Sequence, residues 1–211
     1  MAGPPTTLEW LRDIRALQQL SPLTDGLYLP WSDAAIRPSA LALVCNLVIT
    51  QARTGIVELG SGISTVVLGR LLARRGLRLR TVEHDAAWLD VVTGLVANAG
   101  LRDSVDLVHA PLDDVWYDAD AVHRALSAVT VDLLLVDGPP AWRPGSNLAR
   151  LPALDQLGPY LTKDSIIVLD DADRPGERAV AAAWCEAHGL TADHRPEGVA
   201  VFTRTDSAFV V

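Results

Sequence analysis

The chain has 211 residues with 18 basic and 26 acidic side chains, which gives a formal net charge of −8. Hydrophobic residues make up 49% of the sequence, a content that excludes a disordered chain, and two cysteines are too few for a disulfide framework. The acidic balance excludes nucleic acid as the main partner, because no basic stripe is present to neutralise phosphates.

The first 53 residues differ from the rest of the chain. An amphipathic helix is predicted to open at Thr7, and prolines and a glycine then turn the chain into a loop before a second helix over 39–52. This segment is too short to form a domain. We therefore predict that residues 1–53 form a helical cap, or substrate lid, over one edge of the following unit. Trp31, in its loop, either faces a pocket or packs in the core.

From residue 54 to residue 211, short apolar runs alternate with helical stretches. Strands are predicted at 55–59, 77–83, 105–108, 131–137, 165–169, 191–194 and 199–204, with helices at 64–75, 86–99, 121–129, 148–161 and 174–188. The near-continuous apolar run at 131–137 is typical of a central parallel strand that is covered on both faces. The pattern predicts an α/β fold with a doubly wound, mainly parallel sheet and an antiparallel C-terminal hairpin.

Ligands of open parallel sheets bind beyond the carboxyl ends of the strands, so the residues there are the informative ones. Gly60-Ser61-Gly62 follows the first strand and precedes a helix, so the backbone can approach a ligand and the helix N-terminus can offer donors. Glu83 ends the second strand, where a carboxylate can accept both hydroxyls of a ribose. A dinucleotide site would need a third glycine, which is absent. Glu58 is better suited to a cofactor with a cationic end.

These residues resemble motif I of the class I S-adenosylmethionine-dependent methyltransferases, in the segment from Glu58 to Ser64. Glu83 is similar to the acidic ribose-binding residue of that family, and 131–140 is similar to its fourth motif. The resemblance implies a Rossmann-like sheet of seven strands and an S-adenosyl-L-methionine-binding domain over residues 54–211. The cofactor-binding residues that it implies are Glu58, Gly60, Ser61, Gly62, Ser64, Glu83, His84, His109 and Asp137.

Three aspartates form a second group at the ends of the fourth and fifth strands, namely Asp137, Asp170 and Asp171. If these strands are neighbours, the carboxylates converge, and a hard divalent ion such as Mg²⁺ would neutralise them. The pattern is similar to the metal-dependent, catechol O-methyltransferase-like group, although Pro139-Pro140 stands where that group has a basic lysine. Asp137 is the predicted catalytic base, with a histidine as the alternative. The alternative is that the Asp170-Asp171 pair caps a turn and binds Arg174 or Arg178.

The loop after the fourth strand carries Trp142 and Arg143, which could stack on and orient an aromatic or anionic substrate, or could simply lie in solvent. The expected function is therefore methyl transfer from S-adenosyl-L-methionine to a small molecule, most simply at oxygen, with Mg²⁺. Alternatives are a metal-independent N- or O-methyltransferase, a nicotinamide-dependent oxidoreductase, and a catalytically silent binding protein.

The cellular setting follows from what the sequence lacks. Residues 1–5 carry no basic, apolar leader, and no apolar run is long enough to cross a membrane, so a cytoplasmic protein without a membrane partner is expected. The sequence is compatible with a homo-oligomer.

Overall fold

The computed structural model describes residues 6–32 and 34–204. The leader prediction at residues 1–5, and parts of the two predicted units 1–53 and 54–211, therefore lie outside the described residues. Within the described ranges, no helix is long and apolar enough to span a membrane.

Helices and strands alternate along the described chain. The helices are α1 Thr7–Thr24, α2 Pro38–Thr50, α3 Ile63–Ala73, α4 Ala86–Asn98, α5 Ala119–Leu126, α6 Ala153–Leu157 and α7 Pro175–His188. The strands are β1 Ile56–Leu59, β2 Leu79–Glu83, β3 Val105–His109, β4 Leu112–Asp113, β5 Trp116–Tyr117, β6 Val131–Val136, β7 Leu161–Leu169, β8 Leu190–His194 and β9 Ala200–Arg204.

Seven strands form one sheet in the order β3-β2-β1-β6-β7-β9-β8. The first five strands of that order are parallel, and Val57 of β1 lies between Arg80 of β2 and Leu134 of β6. Strand β9 runs antiparallel to both β7 and β8, which closes the sheet with a reversed hairpin. The predicted doubly wound, seven-stranded fold is confirmed. The strand order changes direction at β1, because β2 and β3 lie on one side of it and β6 and β7 on the other. The carboxyl ends of β1, β2 and β6 therefore surround one crevice.

The core lies on both faces of the sheet, because successive residues of a strand point in opposite directions. Leu133 and Leu135 of β6 pack in a cluster with α1, α2, α3 and α4. Leu134 and Val136 pack in the other cluster, with α5, α6 and α7. All four side chains are fully buried, so truncating any of the three leucines to alanine should cost roughly 2–5 kcal/mol of folding free energy.

The structure differs from the sequence prediction in the cap. Helix α1 does not end before Pro22 but continues to Thr24. Proline has no N–H to donate to the carbonyl of residue 18. The Ser21 hydroxyl donates to that carbonyl instead, at 2.8 Å, which removes part of the cost of the proline. Arg37, just before α2, binds Asp13 of α1 at 2.8 Å and so ties the two helices together.

The prediction of a helix over 148–161 is wrong for most of that range. Only Ala153–Leu157 is α-helical, and β7 already begins at Leu161. Pro152 restricts the residue before it, and Gly158 and Pro159 stop propagation, so the segment folds as successive turns. The short β4–β5 hairpin, where Leu112 pairs with Tyr117, was not predicted either.

Candidate functional site

A cavity of about 600 Å³ opens at the carboxyl edge of the sheet. The glycine loop after β1, the ends of β2 and β6, the loop that follows β6, and part of the segment between α1 and α2 line it. The predicted site residues that line it are Gly60, Ser61, Gly62, Ser64, Glu83, His84, Asp137, Asp171, Trp142 and Arg143. Glu58, His109, Asp170 and Trp31 are not among its lining residues.

The glycine loop needs its two glycines for different reasons. Gly60 has a φ of +87°, and a Cβ there would lie 2.9 Å from the backbone nitrogen of Gly138. Gly62 is extended, and a Cβ there would meet only the Ser64 hydroxyl, at 4.0 Å. Gly60 therefore serves the fold, whereas the space beside Gly62 is open to the cavity. The Trp88 indole donates to the Ser61 carbonyl at 2.8 Å and holds the loop in place.

Glu58 lies beneath this loop and is fully buried. Its Oε2 accepts hydrogen bonds from the hydroxyls of Thr65 at 2.6 Å and Thr81 at 2.8 Å. Burial raises the pKa of Glu58 to about 7, and the surrounding hydroxyls oppose that rise. The Thr65 hydroxyl in turn accepts the Gly62 N–H at 2.9 Å. Glu58 therefore acts on the loop through Thr65 and does not itself reach the cavity.

Glu83, at the tip of β2, is the most heavily hydrogen-bonded carboxylate of the site. Its Oε1 accepts the backbone N–H groups of His84 and Asp85, both at 2.8 Å. Its Oε2 accepts the N–H of Ser61 at 2.9 Å and the Ser61 hydroxyl at 2.8 Å. Although burial raises the pKa of Glu83, these bonds and the His84 side chain lower it to about 2. The carboxylate is therefore ionised and ties β2 to the glycine loop.

The two histidines near Glu83 differ in position. The His84 Nδ1 lies 2.8 Å from Glu83 Oε1, at the wall of the cavity. The exposed His109, which ends β3, has its Nε2 3.1 Å from the His84 carbonyl oxygen. His109 can therefore position His84, but it does not face the cavity.

The structure brings the three predicted aspartates together at the ends of β6 and β7, with one oxygen of each within 4.8 Å of the others. Burial raises the pKa of Asp137 to about 6, and Arg150 opposes this rise while the charge of Asp171 adds to it. Burial and the charge of Asp137 raise the pKa of Asp170 well above its usual range. Asp171 also pairs with Arg174 at 2.6 Å, which is one of the pairings that the sequence left open.

Arg150 was missed by the sequence analysis, and it lies among these carboxylates. It is only 3% exposed and lines the cavity. Its Nη2 is 3.5 Å from Asp137 Oδ1 and 3.4 Å from Asp171 Oδ2, and its Nη1 is 3.7 Å from Glu177 Oε1. The only signal in the sequence was an arginine inside the apolar run Leu148-Ala149-Arg150-Leu151.

The acidic cluster as it stands does not fit Mg²⁺. That ion prefers near-octahedral oxygen ligands at about 2.1 Å and keeps several waters. Here the guanidinium of Arg150 already contacts two of the three carboxylates, and Asp170 is not among the residues that line the cavity. Binding the ion would pull carboxylates away from a buried arginine, and breaking a buried pair costs roughly 3–5 kcal/mol.

The outer part of the cavity has an apolar wall and a cationic side chain. Pro30, Ala34 and Ile36 contribute from the segment between α1 and α2. Trp142 is 69% exposed, and the Arg143 guanidinium lies 5.4 Å from the centre of its ring. This pair can contact a planar or anionic ligand in the cavity.

The sequence and the fold were compared with those of known proteins. The family described as "Methyltransferase domain" matches residues 57–172. A search of curated proteins found no match.

Solved structures with a similar fold include three methyltransferases. SAH-bound PaMTH1 from Podospora anserina is 14% identical, with a TM-score of 0.68 over 98% of this chain and 100% of its own. The O-methyltransferase from Bacillus cereus, in complex with SAH, is 17% identical, with a TM-score of 0.62 over 95% and 92%. TomG from Streptomyces achromogenes, an O-methyltransferase involved in tomaymycin synthesis, was solved with SAM and is 19% identical, with a TM-score of 0.58 over 90% and 89%.

Proposed function

The chain belongs to the family of methyltransferase domains, and from this premise we propose that it transfers the methyl group of S-adenosyl-L-methionine to an oxygen atom of a small molecule. The observation that carries the proposal is the ionised Glu83 beside a glycine loop that opens onto the cavity at Gly62. The similar O-methyltransferase structures that hold SAH or SAM support it. A cavity of about 600 Å³ is of the size that small ligands occupy.

The proposed cofactor site is the inner part of the cavity. Gly60, Ser61, Gly62 and Ser64 would surround the cofactor, and the open space at Gly62 gives its backbone room to approach. Glu83 would accept the ribose hydroxyls. The oxygens of Glu83 already accept several hydrogen bonds. The ribose hydroxyls would therefore displace the two side-chain contacts of Glu83, with the Ser61 hydroxyl and with His84 Nδ1. We propose that Glu58 positions the glycine loop through Thr65, and that His109 positions His84.

Bound S-adenosyl-L-methionine supplies an electrophilic methyl group on a sulfonium centre. The protein's part is to align the acceptor oxygen and to take its proton. We propose that Asp137 accepts this proton, because it lines the cavity and the neighbouring Arg150 favours its ionised form. Alignment of the acceptor with the methyl group would supply the rest of the rate, since methyl transfer needs little covalent help.

The proposed acceptor site is the outer part of the cavity. Trp142 and Arg143 would hold the acceptor, and residues 1–53 would act as its lid, since Pro30, Ala34 and Ile36 form one wall. Trp31 is 38% exposed beside that wall, and we propose that it contacts the acceptor only when the lid closes. We expect the protein to work in the cytoplasm.

Magnesium, which the sequence predicted, is not part of this proposal, because the acidic cluster does not fit the ion. Asp137, Asp170 and Asp171 are the residues that would hold it, and Arg150 opposes its entry. In an N-methyltransferase, the same carboxylates would accept hydrogen bonds from the N–H groups of a substrate amine.

The oxidoreductase alternative is disfavoured by one observation. Thr65 stands where a dinucleotide site would have its third glycine, and it is fully buried and bonded to Glu58. The glycine at that position lets helix and strand pack closely around a pyrophosphate.

Titration calorimetry of the full chain with S-adenosylhomocysteine, and separately with NADH, tests the cofactor. Saturable binding of S-adenosylhomocysteine with no heat from NADH is expected, and the reverse result would overturn the proposal. Incubation with S-adenosyl-L-methionine and a panel of phenols, catechols and matched anilines, read by mass spectrometry, then separates oxygen from nitrogen acceptors.

A further inference from the structure

The side chain of Arg150 lies where the sequence led us to expect a metal ion. We propose that the Arg150 guanidinium is the resident cation of this site, so that the chain binds its acceptor and holds Asp137 without a divalent metal. This inference rests on the proposed methyl transfer, but it concerns how the acidic cluster is neutralised. The contacts of Arg150 with the cluster carry it.

The surroundings of Arg150 form a site built for a guanidinium. Its Nε donates to the Pro139 carbonyl at 3.3 Å, its Nη1 donates to the Asp170 carbonyl at 2.9 Å, and its Nη2 donates to the Asp137 carbonyl. These carbonyls follow the ends of β6 and β7, so the planar fork joins the two strand ends. A guanidinium presents donors in fixed directions, whereas a metal ion needs only close oxygens. The backbone therefore already satisfies each nitrogen of this side chain.

The carboxylates around the guanidinium complete the site. Asp137 and Asp171 lie 3.5 and 3.4 Å from its Nη2, and Glu177 lies 3.7 Å from its Nη1. A buried arginine is tolerated only when it is paired, and breaking such a pair is costly. A divalent ion at the aspartate cluster would have to take Asp137 and Asp171 from Arg150, which would leave two cations facing each other across a few ångströms. Arg150 therefore excludes the metal and replaces the charge that the metal would supply.

The fold gives Arg150 a fixed approach to this position. It leaves the chain from the series of turns before α6, between the buried Ala149 and the half-buried Leu151. Gly176, at the start of α7, packs so closely on this segment that a Cβ there would overlap the Asn147 carbonyl. The segment is thus packed closely against α7, and the arginine extends from it towards the ends of β6 and β7.

Manganese binding by the full chain tests the proposal, because Mn²⁺ is seen by paramagnetic resonance and takes the same oxygen ligands as Mg²⁺. After treatment with EDTA and verification by elemental analysis, the wild-type chain should bind no Mn²⁺ up to about 1 mM. Its melting temperature should be the same in EDTA and in Mg²⁺. A single tight Mn²⁺ site in the wild type that Asp171→Asn abolishes would overturn the proposal, whatever the variants do.

Two substitutions of Arg150 separate charge from packing. Arg150→Met removes the cation and leaves the carboxylates uncompensated, so it should bind Mn²⁺ at least about tenfold more tightly than the wild type and gain stability from the ion. Arg150→Lys keeps a positive charge without the fork, so it should remain without metal even if it is less stable. Equal Mn²⁺ affinity in both variants would show that the charge does not exclude the ion.

S-adenosylhomocysteine affinity, measured in parallel, keeps the two proposals apart. A wild type that fails to bind S-adenosylhomocysteine contradicts the proposed function, whereas the metal result stands on its own. If Arg150→Met fails to fold, the wild-type titration with Mn²⁺ still decides the question.

Discussion

Glu83→Gln tests the cofactor site most directly, because glutamine keeps the shape of the side chain but makes one of its oxygens an amide nitrogen. In the structure, Oε1 accepts two backbone N–H groups, from His84 and Asp85. Oε2 accepts one N–H and one hydroxyl, both from Ser61. Whichever way the amide turns, its NH₂ group faces at least one backbone N–H that then has no acceptor.

The size of the effect follows from these bonds. An unpaired buried N–H costs about 1–3 kcal/mol, and hydrogen bonds to a charged acceptor are worth about 1.5–3 kcal/mol each. We therefore expect Glu83→Gln to lower the free energy of unfolding by about 1–3 kcal/mol at pH 7. The pKa of Glu83 is depressed to about 2 in the folded state. Its contribution is thus fully present above about pH 4.5 and is lost as the pH falls towards 2.

Two assays read the outcome. Urea denaturation at pH 7 and at pH 3 should show that wild type and variant differ less at the lower pH. Titration calorimetry should show an affinity for S-adenosylhomocysteine that is about 10- to 150-fold weaker, the equivalent of 1.5–3 kcal/mol. An analogue that lacks the ribose hydroxyls should bind wild type and variant nearly equally, because the lost contact is then absent from both.

A matched control is Asp106→Asn on β3. Asp106 also has a lowered pKa, from hydrogen bonds with Arg78 and Arg80, but it lies near the start of β3, away from the cavity. Its loss should cost about 0–1 kcal/mol of stability and leave cofactor affinity unchanged. A folded Glu83→Gln protein with wild-type affinity would refute the ribose assignment.

Three further changes test other parts of the site. Gly62→Val should fold normally but lose cofactor binding, whereas Gly60→Ala should destabilise the fold by roughly 1–3 kcal/mol through its φ and its contact with Gly138. Normal cofactor binding by the valine variant would contradict the proposed approach of the cofactor to Gly62. The buried Tyr117 hydroxyl has no hydrogen-bond partner within the described residues. Tyr117→Phe should therefore raise the urea midpoint, equivalent to about 1 kcal/mol, and a lower midpoint would reveal a partner. The pKa of Glu58 is raised, so its burial lowers stability as the pH rises from about 4.5 through 7. Glu58→Gln should flatten that slope in denaturation curves at pH 5 and pH 8, and an unchanged slope would place the titration elsewhere.

The architecture was predictable because periodicity and strand length are local properties of the sequence. The apolar run at 131–137 is typical of a strand buried on both faces, and β6 has four consecutive residues at 0% exposure. Strand ends could likewise be located, so the carboxylates of Glu83, Asp137 and Asp171 were expected at one edge. The sequence predictions were wrong at two places, where a side-chain hydrogen bond or a proline changes the local secondary structure. The Ser21 hydroxyl let α1 pass Pro22, and the prolines and glycine of 148–161 left a series of turns.

The sequence by itself determined which chemical groups stand at the ends of the strands, since each follows directly from its own strand. Only the tertiary structure decided what those groups face. It placed Glu58 under the loop and not in the cavity, because the helix that begins at Ile63 covers it. It brought Arg150 from a misassigned segment to the three aspartates, with a carboxylate contact at 3.4 Å. Long-range contacts of this kind depend on how distant segments pack, and no local pattern of residues records them.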